Sequence, residues 1–166
     1  MFFAGLLLLA TARCVVQSDP GTADVAADVR GGETAFRLVA PNETAIVIPV
    51  MIGEKGPYDF VVDTGATLTC VGESLATELS LPEPRGVFGR GATLGGSGNM
   101  RLVRIDSLRI GETESTNVTA CAIDLSQLRS VGLEVDGLLG LNVLKNFRVT
   151  LDFERSVMRL EPPGNA

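Results

Sequence analysis

The sequence contains no histidine among its 166 residues. Without imidazole, Ser-His-Asp and Cys-His nucleophilic catalysis and all histidine-ligated metal sites are excluded. Lysine is nearly absent as well, because only Lys55 and Lys145 occur, each in a polar turn or helix context. The sequence therefore offers few candidate lysines for a Ser-Lys or Schiff-base mechanism. If the chain is a catalyst, its acids and bases are expected to be carboxylates.

Cysteine and aromatic residues are also scarce. Cys14, Cys70 and Cys121 show no Cys-x-x-Cys spacing, so neither a zinc site nor a thioredoxin-like motif is expected. Cys70 and Cys121 fall in predicted strands, where two outcomes stay open: small buried apolar residues, or a disulfide in an oxidising compartment. Tryptophan is absent and aromatic residues make up 5% of the chain, which favours an aliphatic, β-rich core.

Basic residues are fewer than acidic residues. The formal net charge is −6 and the isoelectric point is about 4.7, which argues against nucleic acid as a partner, since phosphates require a basic surface. The length and the 45% hydrophobic content fit one globular domain with short tails.

The N-terminal "MFFAGLLLLATARC" is apolar but shorter than the roughly 20 residues that span a bilayer. Its apolar run, followed by Ala10-Thr11-Ala12, is similar to a signal peptide. The alternatives are a disordered apolar tail and a lipid-modified Cys14, to which the preceding Arg13 fits poorly. We therefore expect a signal peptide or membrane-anchor-like segment (residues 1–16), a disordered linker (17–36), a folded domain (37–162) and a tail (163–166). The expected location is exported: periplasmic, secreted, or attached to a membrane through the N-terminus.

The rest of the chain has the pattern of a β protein. "TAIVIPVMIG" (44–53) is typical of a buried strand, "EKGP" of a turn and "YDFVVD" of the returning strand. "ESLATELSL" predicts a short helix that Pro82 and Pro84 end. The glycines of "GRGATLGGSGNMRLVRIDSLRIG" (89–111) miss the G-x-G-x-x-G spacing, so they indicate the tip of a β-hairpin rather than a nucleotide loop. "TNVTACAID" predicts a further strand, "VDGLLGLNVLKNF" a strand followed by a short helix, and "RVTLDF" with "SVMRLEP" a closing hairpin.

The stretch "FVVDTGATLTCV" (60–71) places a carboxylate between an apolar strand and small, turn-prone residues. Asp63 ends an apolar strand and is followed at once by Thr64, Gly65 and Ala66. A lone carboxylate in that position is costly unless it is hydrogen-bonded or its pKa shifts. The pattern indicates either a functional carboxylate or a strand-end Asp in an Asx turn.

The order of these motifs resembles the retropepsin-like aspartic proteases, the single-lobed relatives of pepsin, and especially their bacterial exported branch. The resemblance covers about residues 44–161. Asp63-Thr64-Gly65-Ala66 is similar to the catalytic signature, "GLLGLNVL" (137–144) to the second family motif, and "LGGSGNM" (94–100) to the substrate-covering flap. It implies an all-β, single-lobed acid-protease barrel with one or two short helices and a flap hairpin.

The resemblance also implies an activity, that of an aspartic endopeptidase acting on peptide or protein substrates. Such proteolysis needs two carboxylates that share one proton, because like charges about 3 Å apart cannot both ionise. Since the chain has one Asp-Thr-Gly, the resemblance implies a homodimer with a twofold axis between two copies of Asp63. The nucleophile is water, with no metal or cofactor. In the family the Thr64 hydroxyl joins the two loops, and Gly95, Gly96, Ser97 and Gly98 correspond to the flap that contacts substrate.

Two alternatives accompany this hypothesis. Asp136 could supply the second carboxylate within one chain, although it lacks the Thr-Gly that follows a catalytic Asp, and the family uses this segment as a brace. The protein could also be a non-catalytic module that holds an extended peptide by strand addition.

The chain departs from the retroviral pattern in three places. Leu141 and Thr67 stand where retroviral enzymes pair an arginine with an acidic residue, so an apolar contact is expected to replace that ion pair. Residues 124–135 form a longer segment, and a hairpin extends beyond Phe153. The extension argues against dimerisation through interleaved termini.

Overall fold

The computed structural model describes residues 26–28, 31–39, 43–84 and 100–163. Eleven strands and three short helices lie in these ranges. The strands are β1 (Ala26–Asp28), β2 (Gly32–Ala35), β3 (Arg37–Val39), β4 (Ala45–Ile52), β5 (Lys55–Val62), β6 (Thr69–Gly72), β7 (Arg101–Ile110), β8 (Thr113–Ile123), β9 (Gly137–Leu139), β10 (Arg148–Asp152) and β11 (Val157–Glu161). The helices are α1 (Glu73–Glu78), α2 (Ser126–Ser130) and α3 (Leu141–Leu144). None of the helices in these ranges is long and apolar enough to cross a membrane.

Six of the strands close into a barrel in the order β4-β5-β9-β6-β8-β7, with β7 returning to β4. Most neighbours are antiparallel, but β9 pairs in parallel with β5 and β8 pairs in parallel with β6. β3 extends the sheet beside β4, and β1 extends it beside β8. The architecture confirms the predicted all-β, single-lobed barrel.

The buried apolar residues explain why β4 lacks the usual alternation of polar and apolar positions. Ile48 and Val50 belong to the main core, whereas Val47 packs in a second cluster with Val61, Leu133 and Val135. Both faces of β4 are therefore covered, as expected for a strand that is apolar on both sides. The segment 124–135 covers the second face through Leu128, Leu133 and Val135.

Two local boundaries differ from the sequence prediction. The turn between β4 and β5 is Gly53-Glu54, and β5 already begins at Lys55, so the predicted "EKGP" turn is placed too late. Helix α1 ends at Glu78, ahead of both prolines. Ser80 adopts a left-handed φ of 53°, and this reversal ends the helix before Pro82 can interrupt it.

A second sheet of three strands, in the order β10-β11-β2, joins the two ends of the domain. β2 pairs with β11 and places Glu33 directly opposite Arg159. This pairing corrects the predicted extent of the linker (17–36), since residues 32–35 belong to the folded domain. The closing hairpin predicted from "RVTLDF" and "SVMRLEP" is confirmed as β10 and β11.

Candidate active site

Asp63 follows β5 directly and is held by the start of its own loop. Its backbone N–H donates to the Leu139 carbonyl at 3.0 Å, which continues the β5–β9 pairing by one residue. Its Oδ1 accepts the Gly65 N–H at 2.8 Å. A β-carbon at position 65 would lie 3.2 Å from that oxygen, so glycine lets the backbone approach the carboxylate closely.

The hydrogen bond from Gly65 makes an Asx turn, which is the second of the two interpretations of this stretch, a strand-end Asp in a turn. A functional carboxylate could use the same geometry, so the turn alone does not separate the two interpretations. The Asp63 side chain is half-buried, whereas Thr64 and Gly65 are exposed. The first half of the loop thus remains accessible to a ligand or to another chain.

The loop from Asp63 to Leu68 crosses the end of β9, because β9 lies between β5 and β6 in the sheet. Gly140, the residue that follows β9, sits beneath this crossing. A β-carbon at position 140 would lie 2.4 Å from the carbonyl carbon and oxygen of Leu68. Glycine is therefore required at this position by close backbone packing, with an ordinary extended φ of −94°.

Backbone hydrogen bonds fix the loop to the start of α3. The Leu141 N–H donates to the Ala66 carbonyl at 2.8 Å, and the Asn142 N–H donates to the Thr67 carbonyl at 3.1 Å. The Leu141 side chain is 41% exposed and Thr67 is exposed too. Main-chain bonds therefore join the two segments at the positions where an apolar contact between Leu141 and Thr67 was predicted.

Thr69 and Asn142 are two polar residues of this site that the sequence reasoning missed. Thr69 is fully buried, and its hydroxyl accepts the Gly140 N–H at 3.1 Å. The Asn142 Oδ1 accepts both the Thr69 N–H and the Thr69 hydroxyl. The available signal was a polar residue inside an apolar run, in "TLTCV" and again in "GLLGLNVL".

Asp136 lies at the far end of the same strand pair from Asp63. Its Oδ2 accepts the Asp59 N–H at 2.9 Å, and its carbonyl accepts the Gly72 N–H at 2.8 Å. In the register of β5 and β9, Asp136 stands beside Asp59, four residues before Asp63. At about 3.3 Å per residue this is a separation of about 13 Å along the strand. The two carboxylates of one chain therefore do not form a dyad.

Several other carboxylates of the barrel and small sheet are paired with arginines. Asp59 accepts a hydrogen bond from Arg37, and Asp106 accepts one from Arg104. The side chains of these pairs are solvent-exposed except for that of Arg104, which is half-buried. Within the described ranges, no group of three or more Cys, Asp or Glu side chains is placed to hold a metal ion.

Cys70 and Cys121 are direct neighbours in the parallel β6–β8 pair. Their Cα atoms are 4.4 Å apart and their sulfurs are bonded as a disulfide. Of the two outcomes that the sequence left open, the structure has the disulfide. It links β6 to β8 one residue beyond Thr69.

The predicted flap residues Gly95, Gly96, Ser97 and Gly98 lie outside the described residues. So does the N-terminal segment, residues 1–16.

Comparison with known proteins identifies the family and the fold of the chain. A family model described as "Aspartyl protease" matches residues 48–143, which include the Asp63 loop and the Gly140 motif. The structure is similar to a retropepsin-like aspartic protease from Rickettsia conorii, with a TM-score of 0.53 and 19% identity over 80% of this chain and 92% of that one. It also matches the retroviral protease-like domain of Ddi1 from Leishmania major, with a TM-score of 0.48 and 17% identity over 73% of this chain and 95% of that one. Among curated proteins, no match was found.

The barrel, the crossing loop and the second motif define a retropepsin-like fold. Because the family match spans more than half of the 166 residues, the chain belongs to the aspartyl protease family.

Proposed function

We propose that the protein is an aspartic endopeptidase whose catalytic dyad consists of Asp63 from each of two copies of the chain. The observation that carries this proposal is the Asp63 loop. An accessible carboxylate follows a barrel strand and is held by Gly65, while the second half of its loop is fixed by the Gly140 segment. A rigidly supported carboxylate beside an exposed Thr-Gly is what an acid–base catalyst requires.

The proposed reaction is hydrolysis of a peptide bond by water. One ionised carboxylate takes a proton from water as the water oxygen bonds to the scissile carbonyl carbon. The other carboxyl, protonated, donates its proton to the carbonyl oxygen. The tetrahedral intermediate then collapses: the first carboxyl donates the proton taken from water to the amide nitrogen, the C–N bond breaks, and one hydroxyl of the intermediate returns a proton to the second carboxylate. A carboxylic acid and an amine leave, and the dyad again holds one shared proton.

A second copy is part of the proposal because Asp136, the internal candidate among the described residues, does not lie beside Asp63. Asp136 is about 13 Å away along the strand pair, and its carboxylate accepts a hydrogen bond from the backbone of β5. A twofold axis beside the loop would bring the two Asp63 residues together with their exposed Thr64 neighbours. The terminal strands β2 and β11 pair within one chain, so we propose that the dimer forms through another surface than interleaved termini.

The test is cleavage of a mixed peptide library by the full chain, combined with sedimentation. We expect pepstatin-sensitive cleavage, best at mildly acidic pH where a coupled pair holds one proton, by a species of twice the chain mass. Activity should survive a chelator. Peptide binding without cleavage would favour the non-catalytic module, and a fully active monomer would refute the dimeric dyad.

We also propose that the protein is exported. The apolar run of residues 1–14 supports this, and so does the Cys70–Cys121 disulfide, since disulfides persist in oxidising compartments. The test is fractionation of a bacterial host that expresses the full chain or a Leu8→Arg variant with an interrupted apolar run. The parent should leave the cytoplasm and the variant should stay there. Identical distributions would refute the proposal.

A further inference from the structure

We infer that the Cys70–Cys121 disulfide is an activating redox switch, which brings the proposed protease to full activity once the two thiols have been oxidised outside a reducing compartment. This inference rests on the proposed function and deepens it, because it adds a control over where the enzyme works. Three features support it: the row of the sheet in which the sulfurs lie, the short strand that they fix, and their burial.

The two sulfurs lie on the same face of the sheet as the Asp63 carboxylate. Val61 in β5 pairs with Leu138 in β9. Leu138 pairs with Cys70, which in turn pairs with Cys121. Residues paired across neighbouring strands project to the same face, so these four form one row. Asp63 follows Val61 by two residues and continues the strand pairing, so its side chain projects from this face as well.

The opposite face of β6 and β8 carries the main core. Val71, Ala120 and Ala122 are sequence neighbours of the two cysteines, and all three belong to the main apolar cluster. The disulfide therefore lies on the side of the sheet on which the proposed chemistry takes place. It stands two to three strand spacings, of about 4.8 Å each, from the strand that precedes the carboxylate.

β6 is the strand that the Asp63 loop enters, and its backbone pairing is short. It contains four residues, of which two pair with β9 and four pair with β8. The β6–β8 pairing is parallel, which is the less stable arrangement per residue, and the disulfide joins positions 51 residues apart. Closing so long a segment costs conformational entropy. A covalent bond restricts the states in which the two strands separate, and it does so at the second residue of β6, directly after the loop.

Reduction should therefore affect the proposed chemistry as well as stability. Without the bond, the start of β6 and the loop residues before it are expected to move away from β8 transiently. The two carboxylates of a dimeric dyad must meet at a fixed distance to share a proton. Displacement of a catalytic group by about 1 Å can lower a rate by about 100-fold. The dithiol chain is thus a folded protein of low activity.

Burial makes the switch one-way. Cys70 is 8% exposed and Cys121 is 1% exposed, whereas thiol–disulfide exchange requires a thiolate to reach one of the sulfurs. A reversible redox sensor needs an accessible cysteine. Here the thiols are oxidised while the chain folds, and the folded protein then keeps the disulfide in the presence of small thiols. The switch responds to the compartment in which the chain folds, and not to later changes in thiol concentration.

The oxidation is an exchange with a disulfide donor, such as oxidised glutathione or the disulfide of an oxidoreductase. One cysteine loses its proton, and its thiolate attacks a donor sulfur, so that a mixed disulfide forms and one donor thiolate leaves. The thiolate of the other cysteine attacks the protein sulfur of the mixed disulfide. The Cys70–Cys121 bond then forms and the second donor thiolate leaves. Two electrons pass to the donor, whose thiolates take up the two protons that the cysteines lost.

The test compares the full chain in its disulfide and dithiol forms. Cys14→Ser is introduced first, so that one pair of cysteines remains. One sample is folded with oxidised glutathione and the other with a phosphine reductant, and alkylation with mass spectrometry counts the free thiols. Per titrated active site, we expect kcat of the dithiol form to be about 10- to 100-fold lower, with KM changed less than about threefold. Refolding the dithiol sample with oxidised glutathione should restore kcat.

Two variants separate activation from stability. Cys70→Ser combined with Cys121→Ser cannot form the bond, and it should have the low kcat of the dithiol form in both buffers. Leu160→Ala is the matched control, because it truncates a main-core side chain that is 1% exposed and lowers the thermal midpoint while both cysteines still pair. Its kcat per titrated site should stay near that of the parent. The inference is overturned if the dithiol form keeps the parent kcat, or if Leu160→Ala loses as much kcat as the dithiol form.

Shielding and loop order are measured without a substrate. The folded disulfide form should keep its bond in reduced glutathione and lose it when denaturant is added, and rapid reduction without denaturant would refute the one-way switch. Amide hydrogen exchange should be faster in the dithiol form at residues 66–72 and 118–123, and unchanged at residues 148–161 of the small sheet. If neither form cleaves a peptide, the proposed function fails. Equal exchange in the two forms would separately refute the effect of the disulfide on the loop.

Discussion

Asp63 and Asp136 flank the same parallel pair of strands, yet their carboxylates accept hydrogen bonds from different kinds of donor, one in the same loop and one in a neighbouring strand. Asp136 precedes β9, and its Oδ2 accepts the N–H of Asp59 in the neighbouring strand. Asp63 follows β5, and its Oδ1 accepts an N–H from its own loop. The difference lies in the residues that follow. Thr64 and Gly65 leave one carboxylate in an accessible turn, whereas Gly137 continues into a strand. A strand-end carboxylate alone therefore does not indicate catalysis.

The largest effect should come from Asp63→Asn. The amide oxygen can still accept the Gly65 N–H, so the fold should stay intact, but an amide cannot take up or share the catalytic proton. We expect peptide cleavage to fall about 10²- to 10⁴-fold or more with little change in the thermal midpoint. A purified variant that cleaves as fast as the parent would rule out the mechanism.

Gly140→Ala should have the next largest effect. Its β-carbon would meet backbone atoms of Leu68 at 2.4 Å, which a rotamer change cannot relieve. We expect a loss of about 1–3 kcal/mol of unfolding free energy or more, with reduced turnover in the molecules that stay folded. Gly31→Ala is the control, because a β-carbon there would have only ordinary contact at 3.6 Å. Equal denaturation midpoints for the two variants would contradict the close-packing argument.

Asp136→Ala sharpens the comparison of the two carboxylates. The Asp59 N–H would lose its acceptor, which should lower the unfolding free energy by about 1–3 kcal/mol. Turnover per folded molecule should remain close to that of the parent, since this carboxylate stands apart from the proposed dyad. Denaturant titration and active-site titration with a tight inhibitor separate the two quantities. Complete loss of activity in a folded Asp136→Ala protein would reopen the intrachain dyad.

Mixing parent and Asp63→Asn chains tests whether the dyad spans two copies. With random exchange at equal amounts, about a quarter of the dimers contain two intact loops. At constant total chain concentration, the activity should therefore fall to about a quarter of that of the parent alone, whereas independently active chains would give a half. A linear decrease with the fraction of parent chains would show that each chain works alone.

The smallest effect concerns the small sheet formed by β10, β11 and β2. The hydrogen bond from Arg159 holds the pKa of Glu33 below its ordinary value of 4.5. The pair therefore adds stability that is fully present above pH 4.5 and is lost as the pH falls through the lower, folded-state pKa. We expect a slightly lower thermal midpoint for Glu33→Gln at neutral pH and low salt, and no difference from the parent in strong acid. Exposed Glu83→Gln serves as the control, and a difference that persists unchanged in strong acid would refute the ion-pair origin.

Local patterns predicted most of the strands of the barrel and the closing hairpin of the small sheet. The apolar run of β4, the alternation in β7 and the closing hairpin need only neighbouring residues to be recognised. β2 was missed, because "GETA" has no strand pattern of its own and becomes a strand by pairing with β11. Its partner lies at the other end of the chain, beyond the reach of any local signal.

The candidate site divides in the same way. Asp63, Thr64, Gly65 and Ala66 are contiguous, so a motif finds them. The bond between Thr69 and Asn142 joins residues 73 positions apart, and the two cysteines are 51 positions apart. Their proximity follows from β9 entering the sheet between β5 and β6, and β8 lying beside β6, which is a property of the topology and not of any single segment.

Because β2 pairs with β11 within one chain, the chain can fold before it meets a second copy. Each chain can complete its own terminal sheet without a second copy, so folding is expected to be a first-order process. Assembly of the proposed dyad is second-order and depends on how many chains share a volume. Dilution should then abolish the proposed activity while each chain keeps its own fold, so that under the proposed function the local concentration of chains would control proteolysis.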